Sequence, residues 1–183
     1  MMKKLCIFCG ASSGRAVNGK NIYTEQARNV GRILAATRRT LVYGGGRVGV
    51  MGVLADSVLE SGGQVIGVIP ESLMTHEIGH SGVSQLYVVP DMHSRKKMMY
   101  DLSDAFLVLP GGMGTLDEMF EILTWAQLQL HSKPVYLLND TGFYDDLLKY
   151  LRHSSAEGFI KQEHLGLVRE LKTIGDMAHI EYA

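Results

Sequence analysis

The sequence predicts an α/β protein: a Rossmann-like, doubly wound parallel sheet with helices on both faces. Three observations carry that expectation. Short, apolar, β-branched runs alternate along the chain with longer stretches of helical periodicity. The short runs are apolar nearly throughout, as strands covered on both faces require. Glycine-rich segments follow three of them, where a strand turns into a helix.

In chain order, strands are expected at Lys3–Cys9, Thr40–Tyr43, Gln64–Ile69, Gln85–Val89, Ala105–Leu109 and Val135–Leu138. Between and after them lie expected helices near Tyr23–Thr37, Val50–Ser61, His93–Ser103, Leu116–Leu130 and Asp145–Glu157. Strand–helix alternation of this kind implies βαβ crossovers in one sheet. The stretch Leu165–Ile180 has mixed character and no clear element. No linker, internal repeat or low-complexity tract interrupts the pattern, so residues 1–183 are read as a single α/β domain.

Composition narrows the function. Hydrophobic residues make up 46% and charged residues 20% of the 183, the balance of a globular protein. With 18 Lys+Arg against 19 Asp+Glu, the formal net charge is -1. That gives no broad electrostatic hold on nucleic acid or a membrane surface. The apolar runs are strand-sized, too short to span a bilayer. The opening MMKKLCIFCG passes at once into a Gly/Ser turn, unlike a signal peptide, so a cytoplasmic location is expected. The two cysteines, Cys6 and Cys9, form a single C-x-x-C. On a strand, residues three apart point to opposite faces, so they read as two buried thiols and not half of a zinc site.

In a parallel α/β sheet, ligands bind beyond the carboxyl ends of the strands. The loops there read CGASSG, GGGRVGVMG and PGGMGT. Exposed backbone N–H groups at such loops, beside helix N-termini, suit an anion such as a phosphate. Ser12 and Ser13 in the first loop, and Gly45 and Gly46 in the second, are secondary candidates for ligand contact. Gly44, Gly46 and Gly49 also spell G-x-G-x-x-G. A dinucleotide reading fits poorly, because the motif follows the second strand and the next strand ends Val68-Ile69-Pro70 with no acid at its tip.

PGGMGTLDE, Pro110 to Glu118, is the sharpest feature. Thr115 with Glu118 forms a capping-box pattern, placing Thr115 at the N-cap and both Asp117 and Glu118 in the first helical turn. Leu116, Met119, Phe120, Leu123, Ala126, Gln127 and Leu130 then keep helical spacing. Capping alone needs no Gly111, Gly112 and Gly114, which let backbone amides close around a ligand. Amides attract phosphate and the two acids repel it. Both fit if the acids face sugar hydroxyls, which points to a sugar phosphate or nucleotide.

Upstream, Pro90 and Asp91 mark a helix start. Met92, Arg95, Met98, Met99 and Leu102 share one face, placing Arg95 on the apolar stripe while Lys97 turns away. An arginine on that stripe requires a partner from elsewhere, in a salt bridge or on a bound anion. A further motif, His76-Glu77-Ile78-Gly79-His80, matches the H-E-x-x-H zinc signature. Gly79 within it and Ser81-Gly82 after it argue against the helix that a zinc site needs, so no metal is expected.

PGGMGTLDE, DMHSRKKMM, GGGRVGVMG and FCGASSG together resemble the LONELY GUY (LOG) phosphoribohydrolases, often mislabelled lysine decarboxylases. The resemblance runs to about Ile160. It implies a Rossmann-type domain that dimerises with its site near the interface. It implies hydrolysis of the N-glycosidic bond of nucleoside 5'-monophosphates (AMP or cytokinin riboside 5'-monophosphates) to free base and ribose 5-phosphate. Carried over, Arg95 and Glu118 are the catalytic pair. Glu77, Lys96, Gly111, Gly112, Met113, Gly114, Thr115, Leu116, Asp117 and Thr124 are substrate-binding residues. Asp117 stands where many plant members have Glu. No cofactor is expected: a pyridoxal-phosphate decarboxylase needs a Schiff-base lysine and usually a larger chain. A different class, a molybdenum-cofactor-carrier-like binding protein, shares a similar fold. It needs the glycine loops but not the Arg95/Glu118 pair.

Overall fold

The computed structural model describes residues 3–74 and 78–183. Its strands are β1 (Lys4–Phe8), β2 (Thr40–Tyr43), β3 (Val65–Pro70), β4 (Gln85–Val89), β5 (Ala105–Val108), β6 (Val135–Leu138) and β7 (Val168–Leu171). They form one sheet in the order β4-β3-β2-β1-β5-β6-β7, and every pairing is parallel. The helices are α1 (Ile22–Ala36), α2 (Gly49–Glu60), α3 (Met92–Asp101), α4 (Met113–Gln127) and α5 (Asp145–Ala156).

Strand β1 shows why the apolar runs are continuous. Leu5, Ile7 and Cys9 belong to a core shared with Ala27, Val30 and Leu34 of α1 and Leu54 and Val58 of α2. Cys6 and Phe8 point the other way, into a core with Met99 of α3 and Met119 and Ile122 of α4. The two cysteines therefore lie on opposite faces, both as buried free thiols. Burial, then the nearby Glu118 charge, pushes both thiols well above the usual range, so they stay protonated.

The mixed stretch expected at Leu165–Ile180 resolves into a 3-10 turn (Gln162–Leu167), the edge strand β7 and a second 3-10 turn (Ile174–His179). Strand β7 was hidden because two charged residues interrupt its four-residue run. Only Leu171 of its four residues is buried, and Arg169 and Glu170 face outward.

The strand order reverses between β1 and β5. Loops leaving their carboxyl ends diverge to opposite faces, which opens a crevice at that point. Gly10 and Pro110, at the two strand ends, are joined there by a 3.1 Å backbone hydrogen bond.

Candidate functional site

At this switch point lies a cavity of about 570 Å³, within the range of small-molecule sites. Its walls include Gly10–Gly14 from the loop after β1, Gly44 from the end of β2, Met92 and Arg95 from α3, and Gly111, Gly112, Gly114, Thr115 and Glu118 from the loop and helix after β5. Tyr23 and Phe143 close one side, packed edge to face at 5.4 Å.

The entry to α4 differs from the expected capping box. The helix begins at Met113, with Gly112 as N-cap and no side-chain cap. Thr115 is inside the first turn and only 3% exposed. The physical reason is packing: Gly111 lies so close to Thr115 that a Cβ there would fall 2.0 Å from the Thr115 hydroxyl oxygen. The threonine hydroxyl thus packs under the glycine loop and does not end the helix. Two consequences follow. The first-turn N–H groups of α4 keep no side-chain cap, which leaves them for a ligand. No acid occupies the first turn, so the anion-repelling conflict expected from Asp117 and Glu118 is relieved. Glu118 is three and four residues beyond Thr115 and Gly114, which puts all three on one side of the helix and into the cavity. Asp117 points elsewhere.

Helix α3 is capped as expected, Asp91 accepting the Ser94 N–H at 2.7 Å. Arg95 and Met99 are its buried residues. The Arg95 guanidinium, on a side chain within a 5% exposed residue, donates from Nη2 to the Gly44 carbonyl at 2.7 Å and from Nε to the Val68 carbonyl at 3.2 Å. So the arginine reaches across the carboxyl ends of β2 and β3 to the cavity. Lys96 is placed differently. Its ammonium bridges Asp117 at 3.1 Å and Glu121 at 3.0 Å, tying α3 to α4. Burial opposes its charge, but the hydrogen bonds to Glu121 and Asp117 outweigh it and raise its pKa.

Beyond Gly44, the glycines of the second loop serve packing. Gly49 adopts φ +60°, and a Cβ on it would meet the Ala11 carbonyl carbon at 2.3 Å. Gly46 bridges to Gly79, and Gly45 accepts the His80 N–H at 2.9 Å. His80 is not helical and is 3% exposed. Its Nε2 lies 2.9 Å from Asp56, and its Nδ1 accepts the Gly82 N–H at 3.2 Å. His80 lies in a loop and not on a zinc-binding helix, and there it clamps the segment after β3 onto α2. His76 and Glu77 lie outside the described residues. Among the described residues no three His, Cys, Asp or Glu side chains are grouped to hold a metal ion.

Residues 51–179 match a protein family described as "Possible lysine decarboxylase". The chain is 51% identical over 159 residues to a cytokinin riboside 5'-monophosphate phosphoribohydrolase of Rhodococcoides fascians, spanning 86% of this chain and 78% of that protein. It is 47% identical over 158 residues to cytokinin riboside 5'-monophosphate phosphoribohydrolase LOG1 of Arabidopsis thaliana, spanning 86% of this chain and 72% of that one. The chain belongs to the LOG family. Solved structures with the same architecture include a molybdenum cofactor binding protein from Rippkaea orientalis, with TM-score 0.71 and 23% identity over 98% of this chain and 94% of that one. A Moco carrier protein from Chlamydomonas reinhardtii gives TM-score 0.72 at 21% identity, covering 98% and 94%. At those identities the likeness is one of fold alone.

Of the positions that the LOG resemblance assigns, Arg95, Glu118, Gly111, Gly112, Gly114 and Thr115 meet at the cavity, with Ser12 and Ser13. Lys96, Met113, Leu116, Asp117, Thr124, Gly45 and Gly46 do not line it in a single chain. Met113 is 88% exposed, Thr124 is exposed on α4, and Leu116 packs against the α3–α4 core. Lining residues missed from the sequence include Gly10, Gly44, Met51, Met92, Tyr23 and Phe143. For Gly10 and Gly44 a signal existed: each follows a strand closely, as the ligand-binding edge requires. Tyr23 and Phe143 are brought together by tertiary packing and carried none.

Proposed function

We propose that the chain hydrolyses the N-glycosidic bond of nucleoside 5'-monophosphates, with AMP and cytokinin riboside 5'-monophosphates as the substrate class. The observation that carries this reading is the convergence of Arg95 and Glu118 on one cavity with two glycine loops and the uncapped start of α4. The 5'-phosphate binds the amides of the Gly111–Thr115 segment, where the helix dipole favours negative charge. The ribose lies over Glu118. As the C1'–N bond breaks, positive charge builds on the ribose, as in glycoside cleavage. The Glu118 carboxylate stabilises that charge and orients the attacking water. The water oxygen bonds to C1', the base leaves with the bonding pair, and the water proton passes on to the released base. Arg95 holds the nucleotide and balances the carboxylate. Phosphate binding, remote from the reacting bond, helps position it.

Relatives sharing half of this sequence are named phosphoribohydrolases, which supports the enzyme over the carrier reading. A carrier of a phosphorylated cofactor has use for the glycine loops but none for a carboxylate placed at the ribose. Incubation with AMP and with prenylated AMP, followed by chromatography, tests the reading. Free base is expected, and intact nucleotide with both substrates sinks it. The same panel, extended to other nucleoside monophosphates, defines the preferred base.

We place the enzyme in the cytoplasm; no helix among the described residues is long and apolar enough to cross a membrane. We also propose a homodimer, packed through α3 and α4, with the site near the interface. Met92, Phe120, Leu128 and Leu130 are exposed on these elements and their ends, and Met92 also lines the cavity. Light scattering giving the monomer mass excludes it.

A further inference from the structure

We propose that Gly44 is a positioning residue for Arg95, and that the absence of a side chain there is what lets the guanidinium stand in the site. This rests on the proposed role of Arg95 in nucleotide hydrolysis. Gly44 directly follows β2, a fully buried strand of Thr40, Leu41, Val42 and Tyr43. Nothing in its backbone calls for glycine: Gly45 and Gly49 have positive φ, and Gly44 does not. A residue with a side chain fits the backbone conformation. It does not fit the space. A Cβ on Gly44 would lie 2.0 Å from Arg95 Nη2, 3.0 Å from its Cζ and 3.2 Å from Met51 Sδ. The guanidinium occupies the volume that any other residue would fill.

The same peptide supplies the attachment. The Gly44 carbonyl accepts Nη2 at 2.7 Å, and the Val68 carbonyl one strand further accepts Nε at 3.2 Å. Two acceptors on neighbouring strand ends fix the plane of the guanidinium, which has a fixed fork of donors. The next peptide is anchored in turn, since Gly45 accepts the N–H of the buried His80. Gly44 therefore sets where Arg95 sits through its missing Cβ and its carbonyl together. A displacement of about 1 Å in such a group costs on the order of 100-fold in rate.

The test is a double-mutant cycle with Gly44→Ala and Arg95→Ala, reading base release from AMP and thermal midpoint. Gly44→Ala is expected to lose on the order of 100-fold in kcat/KM and to melt at a lower temperature. With Arg95→Ala present, the added methyl has room, so Gly44→Ala is expected to cost no further activity and to leave the midpoint where Arg95→Ala alone puts it. Arg95→Lys, which keeps the positive charge but lacks Nη2, serves as a second background. Equal losses in all backgrounds overturn the positioning role, as does full activity in Gly44→Ala. Full activity in Arg95→Ala instead overturns the proposed role of Arg95 itself. If Gly44→Ala alone fails to fold, recovery of folding in the double variant supports the proposal, and failure to recover overturns it.

Discussion

The Gly10 N–H donates to the Pro110 carbonyl at 3.1 Å, binding the loops on either side of the strand reversal into one unit. Close approach of these loops depends on small residues. A Cβ on Gly10 would lie 3.2 Å from the Gly111 Cα, and one on Gly111 would lie 2.9 Å from the Gly10 nitrogen and 2.0 Å from the Thr115 hydroxyl. Parting the loops shifts the start of α4, and with it the amides assigned to the phosphate and the carboxylate of Glu118.

Gly111→Ala is therefore expected to affect both stability and turnover. Forcing a methyl into this contact costs about 1–3 kcal/mol. For a chain of this size that lowers the melting temperature by roughly 2–4 °C per kcal/mol. Base release from AMP is expected to fall by at least about tenfold, mainly through KM, because the phosphate loop moves. An unchanged KM for AMP contradicts the placement of the phosphate.

Glu118→Gln keeps size and shape and removes the charge. If the carboxylate stabilises the ribose cation and orients water, base release drops by about 100- to 10,000-fold. Binding of the nucleotide, followed by calorimetry, is expected to persist. Full hydrolysis of AMP by this variant refutes the assigned role.

The sheet was legible in the sequence because six of its seven strands are buried or nearly continuous apolar runs; only β7, with Arg169 and Glu170 outward, escaped. The chemistry of Pro110–Glu118 was legible as a motif, yet its geometry was not. Thr115 and Glu118 have the spacing of a capping box, and local preference alone starts the helix at Leu116. Tertiary packing overrode it, because Thr115 fills the space beneath Gly111. Lys96 shows the same limit. Its sequence neighbours place it beside Arg95, but its partners Asp117 and Glu121 come from a helix twenty residues on. Tyr23 and Phe143 meet across most of the chain, a contact that no local pattern announces.

Lys96→Met tests whether this lysine holds α4 in place. Its side chain is 14% exposed and contacts two carboxylates. Because Asp117 is largely solvated, the loss is expected to be modest, about 1 kcal/mol. The pH dependence has a definite sign. The folded-state pKa of Lys96 is raised, with burial opposing and the Glu121 and Asp117 hydrogen bonds prevailing. Its contribution is thus complete below the unfolded lysine pKa of about 10.4 and is lost as pH rises through the higher folded value. Denaturant titrations of both proteins are expected to differ by a constant amount from pH 7 to 10, then converge. A gap that widens above pH 10 contradicts the ion-pair assignment.

His80 gives the last prediction, and it separates a structural clamp from a metal ligand. Gly82 donates to Nδ1, so the ring proton sits on Nε2 and is given to Asp56. Both nitrogens are engaged within the fold, and neither offers a lone pair to a cation. His80→Ala leaves the Gly82 N–H without its acceptor and opens a space beside α2, a loss of about 1–3 kcal/mol. Asp56→Asn keeps an acceptor for the Nε2 proton and is expected to cost less than about 1 kcal/mol. Thermal melts of the wild-type chain are expected to coincide with and without a chelator such as EDTA. If the chelator lowers the midpoint as much as His80→Ala does, the histidine serves a bound metal and the clamp is the wrong description.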